Sequence, residues 1–190
     1  MITFTLDTNC LIDVADERPA AEHVRELMSA HNGGRISVAL VASSASEKQQ
    51  GGGFLESLSI FDARRTALGF GSLPLLPPIA RFNVSFFNHG LMCDHAMLAR
   101  EHAIFTALFP TSPPEWSDYA AAKGLDPEDR ASARYLRWRN QLLDAQAFWS
   151  HDHVRRDVFV TSDRRFRVLT GHPLFPEAAI CNPQEAAAML

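Results

Sequence analysis

Two aspartates each follow directly on a short apolar run that is typical of a buried strand. Residues 2–6 lead into Asp7, and Val-Phe-Val at residues 158–160 leads through a threonine and a serine into Asp163. If the two strands are parallel neighbours, both carboxylates lie at the same edge of a sheet. Carboxylates that close repel each other, and a divalent cation such as Mg²⁺ relieves the repulsion. The pair therefore predicts a metal site, although either aspartate alone is more typical of a helix N-cap.

Two further acidic residues are candidates with weaker signals. Asp144 lies in a predicted long helix among apolar residues, where it faces either a site or solvent. Arg137 and Asn140 precede it by two turns and one turn, so the three side chains share one helix face. Glu47 follows the second predicted strand at the start of a helix, a position as typical of a capping box as of a functional acid.

The elements that must position these residues alternate between strands and helices. The sequence predicts strands at 2–6, 36–41, 81–87, 157–161 and 178–181, and a proline-rich turn region at 74–78. It predicts helices at 11–14, 20–31, 43–50, 94–108, 112–123, 126–151, 166–169 and 183–190, and leaves 54–70 as helical or extended. This alternation predicts an α/β fold with a parallel sheet covered by helices on both faces.

Composition is that of an ordinary globular protein. The 190 residues are 46% hydrophobic and 21% charged, which excludes a disordered or collagen-like chain. No apolar run approaches the roughly 20 residues that span a bilayer. The first residues lack a signal-peptide pattern, and the three cysteines form no Cys-x-x-Cys pair, so we expect a cytoplasmic protein with free thiols and no membrane contact.

The charge distribution favours a nucleic-acid partner more than the net charge of −4 does. Nine arginines and four acidic residues lie between Arg130 and Arg167, so the remainder of the chain is strongly acidic. Arginine binds phosphate in a bidentate geometry, whereas a solvated arginine-rich face is the alternative interpretation. The arginines predicted to contact a phosphate backbone are Arg137, Arg139, Arg164 and Arg165.

Together these residues resemble a known family. The segments Asp-Thr-Asn-Cys-Leu-Ile-Asp at 7–13 and Val-Thr-Ser-Asp-Arg-Arg-Phe at 160–166, with Glu47 and Asp144 between them, resemble the PIN domain. PIN domains are metal-dependent nucleases, mostly endoribonucleases, and include toxin subunits of bacterial toxin–antitoxin pairs. The resemblance covers about residues 1–50 and 135–185, so residues 51–134 are predicted to be an insertion or enlarged helical arm within a single domain, 1–190.

The resemblance implies a three-layer α/β/α fold with a central parallel sheet and a defined site. Asp7, Glu47, Asp144 and Asp163 would form one catalytic pocket that binds Mg²⁺ or Mn²⁺. Nearby polar side chains would hold these carboxylates in place, and we expect this of Thr8, Asn9, Thr161 and Ser162. The implied activity is hydrolysis of single-stranded RNA, with an antitoxin, another protein or a second copy of the chain as further candidate partners.

Two alternatives stay open at the level of sequence. The chain could be a non-catalytic PIN-like scaffold that binds RNA or a protein. It could also be an aspartate-based phosphatase with Asp7 as nucleophile. The second alternative is weak because such sites need a lysine near the phosphoryl group, and only Lys48 and Lys123 are present, while Asn9 occupies the position where an acid is expected.

Overall fold

A parallel sheet forms the centre of the molecule. The structure, a computed structural model, describes residues 1–43, 58–82, 84–85 and 90–190. Within these ranges the sheet has five strands in the order β3-β2-β1-β4-β5, and every neighbouring pair is parallel. The strands are β1 (Thr3–Leu6), β2 (Ser37–Val41), β3 (Leu75–Leu76), β4 (Val158–Val160) and β5 (Ile180–Cys181).

Helices cover both faces of the sheet. The α-helices are α1 (Thr8–Ala15), α2 (Ala21–Asn32), α3 (Leu58–Ala67), α4 (His95–Leu108), α5 (Trp116–Lys123), α6 (Ala133–His153) and α7 (Pro183–Ala187), and a 3-10 helix spans Arg164–Leu169. On one face, Phe4 and Leu6 of β1 pack in a cluster with residues of α1 and α2. On the other face, Phe159 and Ile180 pack with residues of α4 and α6. The predicted three-layer α/β/α arrangement with a central parallel sheet is confirmed.

The structure differs most from the predicted elements at three places. Residues 74–78 were predicted as a turn region, but Leu75–Leu76 pairs with β2 as an edge strand, a position where flanking prolines are tolerated. The described residues of 81–87 form a turn, in which the Val84 amide donates to the Arg81 carbonyl at 3.1 Å, and not a strand. The long helix begins at Ala133 and not at residue 126, because Ser132 is the N-cap and its Oγ accepts from the Tyr135 amide.

The range 51–134, predicted as an insertion or helical arm, contributes to the common core where it is described. It supplies β3 to the sheet, and Ile104 and Phe105 of α4 are buried in the cluster that also holds residues of α6. Residues 54–70, which the sequence left open, contain α3. The helix predicted at 43–50 lies outside the described residues beyond Ser43. No helix of the described part is both long and apolar enough to cross a membrane.

Candidate functional site

The direction of chain progression reverses between β1 and β4. From the central strand β1 the chain continues outward to β2 and β3, and later returns to the other side of β1 to form β4 and β5. Leu6 pairs with Val160 in the register, so Asp7 and residues 161–163 leave the sheet side by side. In open parallel sheets this switch point is where a crevice opens beyond the carboxyl ends of the strands. The condition under which the two carboxylates meet, that their strands are parallel neighbours, is therefore satisfied.

A cavity of about 560 Å³ opens at this switch point. Asp7, Asp144 and Asp163 all line it. The other lining residues are Asn9, Phe109, Arg137, Asn140, Gln141 and Arg165. We call this space the acid cavity. Sequence spacing correctly places Arg137, Asn140 and Asp144 on one face of α6, because residues three or four positions apart share a helix face.

Asp7 is buried and held by three hydrogen bonds. Its Oδ1 accepts from the Thr8 amide at 2.8 Å, and its Oδ2 accepts from Asn9 Nδ2 at 3.0 Å and from Thr161 Oγ1 at 2.7 Å. Burial raises the pKa of Asp7, these hydrogen bonds oppose the rise, and the charge of Asp163 adds to it. Asp7 is therefore the N-cap of α1 and at the same time a wall of the acid cavity.

The environment of Asp144 strongly disfavours its charged form. Burial raises the pKa of Asp144 to about 8, and the charge of Asp7 contributes in the same direction, whereas Arg165 opposes the rise. The side chain keeps 23% of its surface exposed, so solvent reaches it through the cavity mouth. A carboxyl group with this pKa holds a proton at neutral pH and can release it.

Asp163 caps the 3-10 helix and binds Arg165. Its Oδ1 accepts from the Arg165 amide at 2.9 Å, and its Oδ2 accepts from Arg165 Nε at 2.9 Å and Nη2 at 2.5 Å. The same Nη2 lies 3.4 Å from Oδ2 of Asp144. The guanidinium group therefore lies between two of the three carboxylates.

The four predicted supporting donors behave differently. Thr161 and Asn9 donate to Asp7 from their side chains, and Thr8 donates from its backbone amide. Ser162 does not contact a cavity carboxylate, because its Oγ donates to Asp13 Oδ2 at 2.7 Å. Asp13 is 3% exposed and ties α1 to the loop that carries Asp163. Sequence reasoning gave Asp13 no role, although an acid among the apolar residues of α1 was an available signal.

The four arginines predicted to bind phosphate lie in different parts of the structure. Arg137 and Arg165 line the acid cavity, and Arg164 lines a neighbouring cavity of about 300 Å³ that shares Asp163. Arg139 is 8% exposed, and its Nη2 lies 3.5 Å from the Val84 carbonyl. The structure therefore places Arg139 on a buried face of α6 and not among the residues that line the acid cavity, where the predicted phosphate contact would require it.

Two other residues of the cavity were not singled out from the sequence. Gln141 precedes Asp144 by three positions on α6, and helical spacing was a signal that could have identified it. Its Oε1 is buried and has no hydrogen-bond partner within the described residues. Phe109 follows α4, and its ring lies 5.5 Å from the Arg165 guanidinium carbon, a contact with no local sequence signal.

The carboxylates of the acid cavity are the kind of ligand that a hard divalent cation prefers, but they do not lie close enough together to surround one ion. Three carboxylates share the cavity, and the raised pKa values of Asp7 and Asp144 reflect burial and repulsion that a cation would relieve. In the described part of the chain, no three acidic, histidine or cysteine side chains lie close enough to hold one ion. Glu47 lies outside the described residues. Arg165 supplies the cationic charge between Asp144 and Asp163.

No protein-family model, curated protein or solved structure matches this chain.

The residues required by a phosphatase are not brought together in the described residues. Lys123 is at the end of α5 and does not line the acid cavity, and Lys48 lies outside the described residues. The two residues that follow Asp7 donate hydrogen bonds to it, and position 9 carries Asn9 where such a phosphatase has a second acid. The cavity is therefore better suited to bind a cation between carboxylates than to present Asp7 as a phosphate acceptor.

Proposed function

We propose that this chain is a PIN-like, metal-dependent nuclease that hydrolyses phosphodiester bonds in single-stranded RNA. The observation that carries the proposal is the meeting of Asp7, Asp144 and Asp163 in one cavity at the switch point of a parallel sheet. These residues come from three distant parts of the chain, and their resemblance to the acids of PIN domains supports the same assignment.

Asp7, Asp144 and Asp163 are the residues that would hold Mg²⁺ or Mn²⁺, and Glu47 is the fourth proposed acid. A bound ion of this kind lowers the pKa of water and neutralises charge on the attacked phosphate. Asp7 contributes a carboxylate fixed by three hydrogen bonds, which lowers the reorganisation needed on binding. Burial raises the pKa of Asp144 to about 8 in the metal-free protein, so this carboxyl group must lose its proton to coordinate the ion, and metal binding should strengthen as pH rises toward 8.

Several cavity residues favour an anionic, polar polymer as substrate. Arg137 is exposed at the rim and offers a bidentate donor to a phosphate. The side-chain amides of Asn9 and Asn140 line the same cavity as neutral donors and acceptors. RNA, unlike DNA, offers a 2′-hydroxyl donor. The resemblance further supports a cytoplasmic protein that pairs with an antitoxin.

The test is cleavage of a fluorescently labelled single-stranded RNA by wild type and Asp7→Asn with added Mn²⁺ or Mg²⁺. Loss of a fixed carboxylate ligand should lower the cleavage rate by at least about 100-fold, since even residues that only support a ligand are worth about 10- to 100-fold. Asparagine is as good an N-cap as aspartate, so the melting temperature should stay close to that of wild type.

Asp157→Asn is the matched control. Asp157 precedes β4 at the opposite end of the sheet, where it bonds Thr3, and this variant should cleave RNA at the wild-type rate. Cleavage that survives in Asp7→Asn would show that the acid cavity is not the nuclease site. A DNA strand of the same sequence, assayed in parallel, tests the choice of RNA.

A second candidate is an RNA-binding scaffold that does not cleave. The position of Arg165 between Asp144 and Asp163 favours it, because a guanidinium can balance these charges without a metal. Thermal unfolding with increasing Mn²⁺ separates the candidates. The melting temperature of a metal-dependent nuclease should rise with Mn²⁺ concentration, because the ion binds the folded protein, whereas that of a scaffold without a metal site should not change.

A further inference from the structure

Arg165 places a positive charge between Asp144 and Asp163 in the acid cavity. Its Nη2 contacts Asp163 Oδ2 at 2.5 Å and lies 3.4 Å from Asp144 Oδ2, so one guanidinium joins two carboxylates from different elements. The interaction raises the pKa of Arg165, with the Asp163 hydrogen bond as the main cause, and the group stays charged. Asp144 and Asp163 are thus bridged by a charge that belongs to the chain.

The side chain can leave this position without unfolding its surroundings. It is 56% exposed, and Arg165 belongs to a short 3-10 helix at the surface. The backbone amide of Arg165 donates separately to Asp163 Oδ1 at 2.9 Å. That bond does not involve the guanidinium group, so Asp163 retains a donor at Oδ1 when the side chain leaves Oδ2.

We propose that Arg165 is an exchangeable counter-cation of the acid cavity: it bridges Asp144 and Asp163 when no metal is bound, and a divalent cation must displace it to bind. Arg165 thereby sets the affinity of the site for metal. The proposal rests on the proposed metal-dependent function. The physical reason is that one guanidinium and one metal ion compete for the same carboxylate oxygens, and both cannot be accommodated at contact distance.

The experiment is calorimetric titration of Mn²⁺ into metal-free protein at pH 7.5, with wild type and variants in the same buffer. Arg165→Gln removes the competing charge and should bind Mn²⁺ at least about tenfold more tightly than wild type. Arg165→Lys keeps a charge but not the fork that bridges two carboxylates, so its affinity should lie between those of wild type and Arg165→Gln. Circular dichroism of each variant checks the fold.

Arg164→Gln is the matched control, because it removes the same charge from the adjacent residue. Arg164 lines the neighbouring cavity and does not line the acid cavity, so its loss should change Mn²⁺ affinity by less than about threefold through long-range charge alone. A tenfold gain in Arg164→Gln as well would reduce the effect to net charge and overturn the proposal.

The two proposals fail in different ways. Equal Mn²⁺ affinity in wild type and Arg165→Gln refutes the counter-cation role and leaves the metal-dependent nuclease intact. Absence of Mn²⁺ binding in both proteins refutes the metal site itself and the counter-cation role with it.

Discussion

Asp144→Asn should stabilise the metal-free protein, and the gain should grow with pH. Burial and the charge of Asp7 raise the pKa of this carboxyl group to about 8 in the folded protein, against 3.8 as its ordinary value. Between these two pH values the unfolded chain releases the proton while the folded chain keeps it. The free energy of unfolding of wild type therefore falls as pH rises from about 4 to about 8, and the penalty is complete above that range.

The size of the effect follows from the same two values. The folded and ordinary pKa values of Asp144 differ by about four, and a difference of one corresponds to about 1.4 kcal/mol. The free energy of unfolding can therefore rise by at most about 6 kcal/mol in Asp144→Asn. The side chain is 23% exposed and water in the cavity screens its charge, so we expect a gain of about 2 to 3 kcal/mol at pH 9. At pH 4 the variant and wild type should be nearly equal.

Urea unfolding followed by tryptophan fluorescence at pH 4, 5, 7 and 9 in the presence of a chelator measures this difference. Asp157→Asn is the control of opposite sign, because hydrogen bonds from Thr3 lower the pKa of Asp157. That variant should be less stable than wild type throughout pH 4 to 9, and its deficit should close only as pH falls below 3.8, the ordinary pKa of an aspartate. A stability difference for Asp144→Asn that is the same at pH 5 and pH 9 would refute the argument.

Two further predictions concern buried polar groups outside the acid cavity. Glu101 is fully buried and accepts hydrogen bonds from Arg81 and from Gln146 Nε2. Glu101→Ala should therefore lower the free energy of unfolding by about 3 kcal/mol in the same urea assay. Removal of the half-exposed carboxylate of Asp62, which pairs with Arg65, is the control and should change it by less than about 1 kcal/mol. His151 is buried against Thr5, and burial lowers its pKa from 6.5 to about 4. As pH falls from about 6.5 to 4, the unfolded chain therefore binds a proton at this residue while the folded chain does not, and wild type should lose stability over this range. His151→Gln should flatten that loss in urea titrations across this range, and an unchanged slope would show that another group causes it.

Local sequence patterns predicted the strands and helices that carry the site. A short apolar run that stops at an acid was enough to place Asp7 and Asp163 at strand ends, and helical spacing was enough to place Arg137 with Asp144. The same local reasoning misplaced the start of α6. Asp126 and the following proline have the sequence pattern of a helix start. In the structure, however, the Pro127 carbonyl accepts a hydrogen bond from Trp116 Nε1 at 2.7 Å, and the helix begins only after its N-cap, Ser132.

Contacts between distant residues decided the rest. Arg139 and Arg137 are two positions apart, and nothing in their local sequence shows that one is buried near Val84 while the other faces the acid cavity. Ser162 was expected beside a cavity carboxylate, yet it bonds Asp13, which lies 149 positions away. Such pairings depend on how α1 and α6 pack against the sheet, and packing is a property of the whole chain.

By itself the sequence determined that carboxylates end two apolar strands and that helices alternate with those strands, because side-chain periodicity and strand ends are local properties. Only the tertiary structure decided that β4 lies beside β1, that Asp144 shares their cavity, and that Arg165 bridges two of its carboxylates. The physical reason is that charge repulsion and charge pairing depend on distance in space, and that distance is set only when all three layers pack together.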